Sequence, residues 1–123
     1  MYKIPEYQHC LDWAHCENII DAQKKLSEIT QILNILIGIS SKSEKELLFS
    51  MAEFGSNIAE KLSFTNKLIK LAILNERSAE IKELISVYYD SESARKQLTL
   101  KREAIIEDLM ALKRIEDIRG RCG

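Results

Sequence analysis

The sequence is poor in residues that break or turn a chain. Its 123 residues include one proline, Pro5, and four glycines, Gly38, Gly55, Gly120 and Gly123. An all-β fold spends glycine, proline and asparagine at its many turns, so this scarcity excludes it and leaves a continuous helical reading. Aromatic residues are 7% of the chain, with one tryptophan, and they form no platform on which bases stack. There is no Gly-rich phosphate loop and no nucleophile elbow. The longest apolar stretch, Ile35–Ile39, is interrupted by Gly38 and falls far below the ~20 residues that span a bilayer. The three cysteines, Cys10, Cys16 and Cys122, are an odd number. Without a signal peptide, they predict a reducing, cytoplasmic location.

What is present suits packed helices. Hydrophobic residues make up 46% of the chain and charged residues 30%, enough for a core and a wet face on each helix. The formal net charge of −1 gives the whole molecule no bias toward polyanions. The distribution is uneven. Residues 1–35 hold three basic and five acidic side chains, whereas residues 94–121 hold eight basic and five acidic.

The first apolar seam reads Ile19, Ala22, Leu26, Ile29, Leu33 and Leu36, in steps of 3 and 4. Ile20, Ile32, Ile35 and Ile37 widen it, which predicts burial against more than one neighbour. A helix over about 6–37 would begin after Pro5 and end at a Gly38 C-cap. Residues 39–42 then read as a loop. Ser43 and Glu46 match a capping box that opens a second helix over about 43–74.

That second helix carries Leu48, Met51, Gly55, Ile58, Leu62, Thr65, Ile69 and Ala72 at the same spacing. Residues 75–78 read either as a turn capped by Ser78 or as the wet face of one unbroken helix. A third helix, about 78–119, shows Ile81, Leu84, Ile85 and Tyr88, then a polar stretch bridged by Ala94. It resumes with Leu98, Ile105, Leu109, Leu112 and Ile115, and residues 120–123 read as a frayed tail. The expected fold is all-α: one helical domain of residues 1–123, with three long amphipathic helices in an antiparallel bundle or a coiled-coil-like dimer.

The reactive side chains cluster at His9-Cys10-Leu11-Asp12-Trp13-Ala14-His15-Cys16. On a helix His9, Asp12 and Cys16 share a face and could present three zinc ligands, but no fourth follows with finger spacing. The blander reading, Cys16 on the apolar seam with the histidines bordering it, is favoured, and no metal site is expected. Cys10 and His15 fall on different helix faces, unlike a nucleophile and its base. Trp13 either anchors the N-terminus in the bundle or reaches a partner. Tyr88 and Tyr89 lie on adjacent faces, one expected buried and the other partly wet.

Residues 81–119 resemble the middle helix of BAR domains of the sorting-nexin type. The likeness lies in Leu84, Tyr88 and Tyr89, then Ala94 beside Arg95, then Leu98 and Arg102, and continues into Lys113-Arg114. It implies a dimeric helical module on anionic membranes, with Arg95, Lys96, Lys101, Arg102, Lys113 and Arg114 as lipid contacts. The bland reading of these basic pairs is a solvated face with local ion pairs.

Three functions follow as expectations. The first is a non-enzymatic scaffold or adaptor acting through protein–protein contact and self-association along the Ile19–Leu36 seam. The second is a peripheral membrane module using the basic third helix. The third is a helical inhibitor or immunity-type binder, for which no residue argues. None needs a cofactor, a catalytic residue, a small-molecule substrate or nucleic acid.

Overall fold

The computed structural model describes residues 2–54, 63–64, 66–67, 69–70 and 78–122. All regular structure among the described residues is helical. A short helix, α1 (Gln8–Leu11), precedes two long ones, α2 (Ile19–Phe54) and α3 (Ser78–Cys122), of 36 and 45 residues. The chain gathers into two compact units, one of Met1–Ile4 with Ile37–Glu92 and one of Pro5–Leu36 with Ser93–Gly123. Both long helices contribute to both units.

In the unit built from Pro5–Leu36 and Ser93–Gly123, α2 buries Ala22, Ile29, Ile32, Leu33 and Leu36, and α3 buries Ala94, Leu98 and Ile105. The 3, 4 and 7 spacings put each set on one helix face, so two stripes pack while the polar faces stay wet. Arg102 Nε on α3 donates to Thr30 Oγ1 on α2 at 3.3 Å. Ala94 is fully buried and carries the stripe across the polar stretch, as its spacing predicts.

In the other unit Leu47, Met51 and Ile81 form a core, with Phe64, Leu84, Ile85 and Tyr88 packed against it. The Phe64 and Tyr88 rings meet edge-on with centroids 5.5 Å apart. Tyr88 is half-buried and Tyr89 exposed, close to the expected division. Three buried serines lie in the same unit. A buried hydroxyl without a partner is costly, and each of these donates. Ser40 Oγ bonds Glu92, Ser43 Oγ bonds the Ile39 carbonyl at 2.8 Å, and Ser91 Oγ bonds the Tyr88 carbonyl at 2.8 Å.

Those serines correct the expected boundary at residues 38–43. Gly38, the loop at 39–42 and the Ser43–Glu46 capping box all lie inside α2. Ser43 bonds back to the preceding turn, and Glu46 accepts the Tyr2 hydroxyl at 2.9 Å instead of a backbone amide. The physical reason is the continuity of the buried face through Leu36, Ile39, Ser40, Ser43, Leu47 and Met51. A glycine within a helix costs only about 1 kcal/mol. Breaking the helix would forfeit that whole run of contacts.

The start of α2 also differs from expectation. Residues 6–18 do not extend a helix from Pro5 but form α1 and a non-helical stretch. The Asn18 side-chain oxygen accepts the Asp21 amide at 2.8 Å, and Asp21 Oδ2 accepts the Glu17 amide at 3.1 Å. The Asn18 cap satisfies an orphan amide at the helix start, and Asp21 holds the preceding Glu17 amide and places an acid in the first turn, where the dipole favours it. At the other end α3 continues through residues 120–122, with Arg119 and Arg121 in its last turn. The expectations at Gly55, Ile58, Leu62, Thr65, Ala72 and 75–77, and for the Ser78 side chain, lie outside the described residues.

Two substitutions test the continuous α2. A Cβ at Gly38 meets nothing within 4 Å, so Gly38→Ala should stabilise the protein by about 0.5–1 kcal/mol in urea unfolding. A glycine ending a helix in the left-handed region would instead lose stability on this change. Asn18→Ala should cost about 1 kcal/mol in the same assay.

Candidate functional site

The N-terminal segment is where the reactive side chains collect, and polar contacts fix it. The α1 turn closes through the Asp12 amide to the Gln8 carbonyl at 3.2 Å and the Trp13 amide to the Cys10 carbonyl at 3.4 Å. Cys10 is fully buried, and Trp13 is half-buried. The Trp13 and His9 rings meet in a T-shaped arrangement with centroids 5.9 Å apart, and Lys25 Nζ lies 5.9 Å from the Trp13 ring. Trp13 therefore anchors within the chain. Its carbonyl accepts Lys101 Nζ from α3 at 2.6 Å.

A second hold sits at Asp108. Its carboxylate accepts the Cys16 amide at 3.2 Å and lies 3.2 Å from His15 Nδ1. Trp13, Ala14, His15, Lys101, Ala104, Ile105 and Asp108 line a hollow of about 140 Å³, well below the ~300 Å³ at which small-molecule pockets begin. The Cys16 amide, followed by His15, draws the Asp108 carboxyl below its ordinary pKa, against the opposing effect of burial.

His9, Asp12 and Cys16 do not share a helix face. Asp12 closes α1, and Cys16 lies in the non-helical stretch beyond it. His9 instead faces two glutamates. Its Nδ1 meets Glu6, and its Nε2 lies 2.8 Å from Glu28 Oε1 and 3.4 Å from Cys10 Sγ. Glu28, then Glu6, raise the His9 pKa. Burial, then the charges of Glu28 and Glu6, push the Cys10 thiol up to about 11. Such a thiol is protonated at neutral pH and is a poor nucleophile. Sequence reasoning missed Glu28 because it reaches His9 only when the N-terminal segment folds back along α2.

The Ile19–Leu36 seam is spent within the chain. Ala22, Ile29, Leu33 and Leu36 are buried, and Ile19 and Leu26 are half-buried. The large apolar side chains left exposed in that unit are Ile20 and Ile35 on α2, and Leu100, Met110, Ile115 and Ile118 on α3. In the other unit Ile37, Leu48 and Phe49 on α2 are exposed. Of the six basic residues, Lys101 and Arg102 each commit a donor inside the chain. Lys96, Lys113 and Arg114 are exposed, and Arg95 is half-buried.

Asp108 gives a mutational and a pH prediction. Asp108→Ala removes the acceptor of the Cys16 amide and should cost about 1–2 kcal/mol in urea unfolding. A carboxyl depressed in the folded state stabilises fully above its unfolded value, here 3.8. That contribution is lost as pH falls from there through the lower folded value. The parent and Asp108→Ala stabilities should therefore converge in acid, and a gap unchanged down to pH ~2 would contradict the assignment. No protein-family model, no curated protein and no solved structure matches this chain.

Proposed function

We propose that the protein is a non-enzymatic helical scaffold that self-associates, with a second copy docking along the C-terminal end of α3. The observation that carries this reading is the exposure of Met110, Ile115 and Ile118 at 53%, 46% and 59%. C-terminal to Asp108 no described side chain of α3 is buried. The order of contacts accounts for this overhang. Cys16 pairs with Asp108 and Thr30 with Arg102, so rising numbers on one side meet falling numbers on the other. In an antiparallel register that sets Thr30 against Arg102, the first residue of α2, Ile19, comes level with about residue 113, and residues 114–122 of α3 extend past the start of α2.

The charges there favour a second copy. An antiparallel crossing centred on Ile115 sets Lys113 and Arg114 of one copy beside Asp117 and Glu116 of the other. Such a two-fold contact is self-complementary and closes at a dimer. Exposed ion pairs contribute only tenths of a kcal/mol each, so burial of the isoleucines and Met110 supplies the affinity. Completing that burial is worth at most about 1–2 kcal/mol per side chain, which makes the dimer concentration-dependent. The internal use of Lys101 and Arg102 subtracts from the cationic face that a membrane reading needs.

Light scattering after size exclusion, run over a dilution series, tests this. The expected result is a mass that falls from dimer to monomer on dilution. Ile115→Glu combined with Ile118→Glu should give a monomer throughout with the helical circular dichroism retained. A monomer at every concentration, or a double variant as dimeric as the parent, would overturn the proposal. Co-sedimentation of a monomer with phosphatidylserine vesicles at low salt, lost at high salt, would replace it with the peripheral-membrane reading.

A further inference from the structure

The His9–Cys10–Glu28 cluster takes no part in self-association, and its geometry suits a cation. The ligating atoms of these three side chains all lie within 4.8 Å of one another. A zinc ion with bonds of about 2.0 Å to nitrogen and oxygen and about 2.3 Å to sulfur sets its ligands roughly 3.3–3.6 Å apart. Cys10 Sγ and His9 Nε2 are already at 3.4 Å, and His9 Nε2 and Glu28 Oε1, at 2.8 Å, need to part by about half an ångström. Nitrogen, thiolate and carboxylate together form a donor set that zinc accepts.

Two further features separate this cluster from a chance meeting of polar groups. Glu6 bonds the other ring nitrogen of His9. A carboxylate in that place fixes the tautomer and turns Nε2 toward a metal, as in carboxylate–histidine–zinc triads. Cys10 is fully buried while His9 and Glu28 are exposed. The sulfur thus forms the floor of the site, and its open side faces solvent.

We propose that Cys10 Sγ, His9 Nε2 and Glu28 Oε1 form a three-ligand site for a zinc-class divalent cation, with water in the fourth position and Glu6 orienting His9. The cation clamps the N-terminal segment onto α2. Binding displaces the thiol proton of Cys10 and any proton on His9 Nε2, so affinity rises with pH. A dication beside Cys10 stabilises the thiolate that binding requires.

Titration of the full-length protein with cobalt(II), followed by absorption, tests the site, with zinc added afterwards as the competitor. The expected result is a tetrahedral cobalt spectrum with a thiolate charge-transfer band, saturating at one ion per chain and abolished by zinc. Cys10→Ser should remove the charge-transfer band, and Cys16→Ser should keep it. Glu6→Gln should weaken binding by about 10–100-fold. Glu28→Gln, an exposed change that leaves the core intact, should weaken it further. The spectrum of six-coordinate aqueous cobalt throughout would overturn the proposal. So would a charge-transfer band that survives Cys10→Ser, or a Glu28→Gln variant that binds as the parent does.

Discussion

Helix α2 runs unbroken from Leu36 to Leu47, its first half contributing to one packed unit and its second half to the other. That stretch holds the residues least suited to a helix core: a glycine and three serines. The serines at 40 and 43 are tolerated because each hydroxyl finds an acceptor, one in Glu92 and one in the helix's own preceding turn. Their small size keeps the buried face continuous between Ile39 and Leu47. A larger polar residue at either place would need burial without a partner, and a larger apolar one would overfill a closely packed layer.

A different physics holds the N-terminal segment. Cys10 is buried there and Tyr7, Leu11, Trp13 and Cys16 are half-buried, and hydrogen bonds to charged groups on the long helices fix the segment's position. Asp108 and Lys101 reach it from α3, and Glu28 meets His9 from α2. Contacts of this kind are directional, so they place side chains accurately, but solvent screens them where they are exposed. The cation site proposed on this segment would therefore depend on geometry and charge, whereas the association proposed along α3 would depend on apolar area.

The all-helical class was legible because the 3 and 4 spacings of Ala22, Ile29, Leu33 and Leu36, and of Ala94, Leu98 and Ile105, record one buried face per helix. Helix ends were less legible. Gly38 with Ser43 and Glu46 imitates a stop and a start, and only the burial on both sides overrules the local signal. The true start was written in Asn18 and Asp21, an equally simple pattern that the longer apolar seam obscured. Ala22, Ile29, Leu33 and Leu36 of the seam are buried and Ile19 and Leu26 half-buried, and periodicity does not say whether such a face meets the same chain or another. Glu28 could not be joined to His9 from sequence, because their 19-residue separation closes only through the turn between α1 and α2.

Amide hydrogen exchange across α2 tests the central claim most directly. A continuous helix packed through its serine layer requires the amides of residues 38–43 to exchange as slowly as those of the flanking turns, through the same cooperative opening. Exchange of these six amides at unprotected loop rates, with protection resuming near residue 46, would mean that the helix breaks at Gly38 and that the account of its packing is wrong.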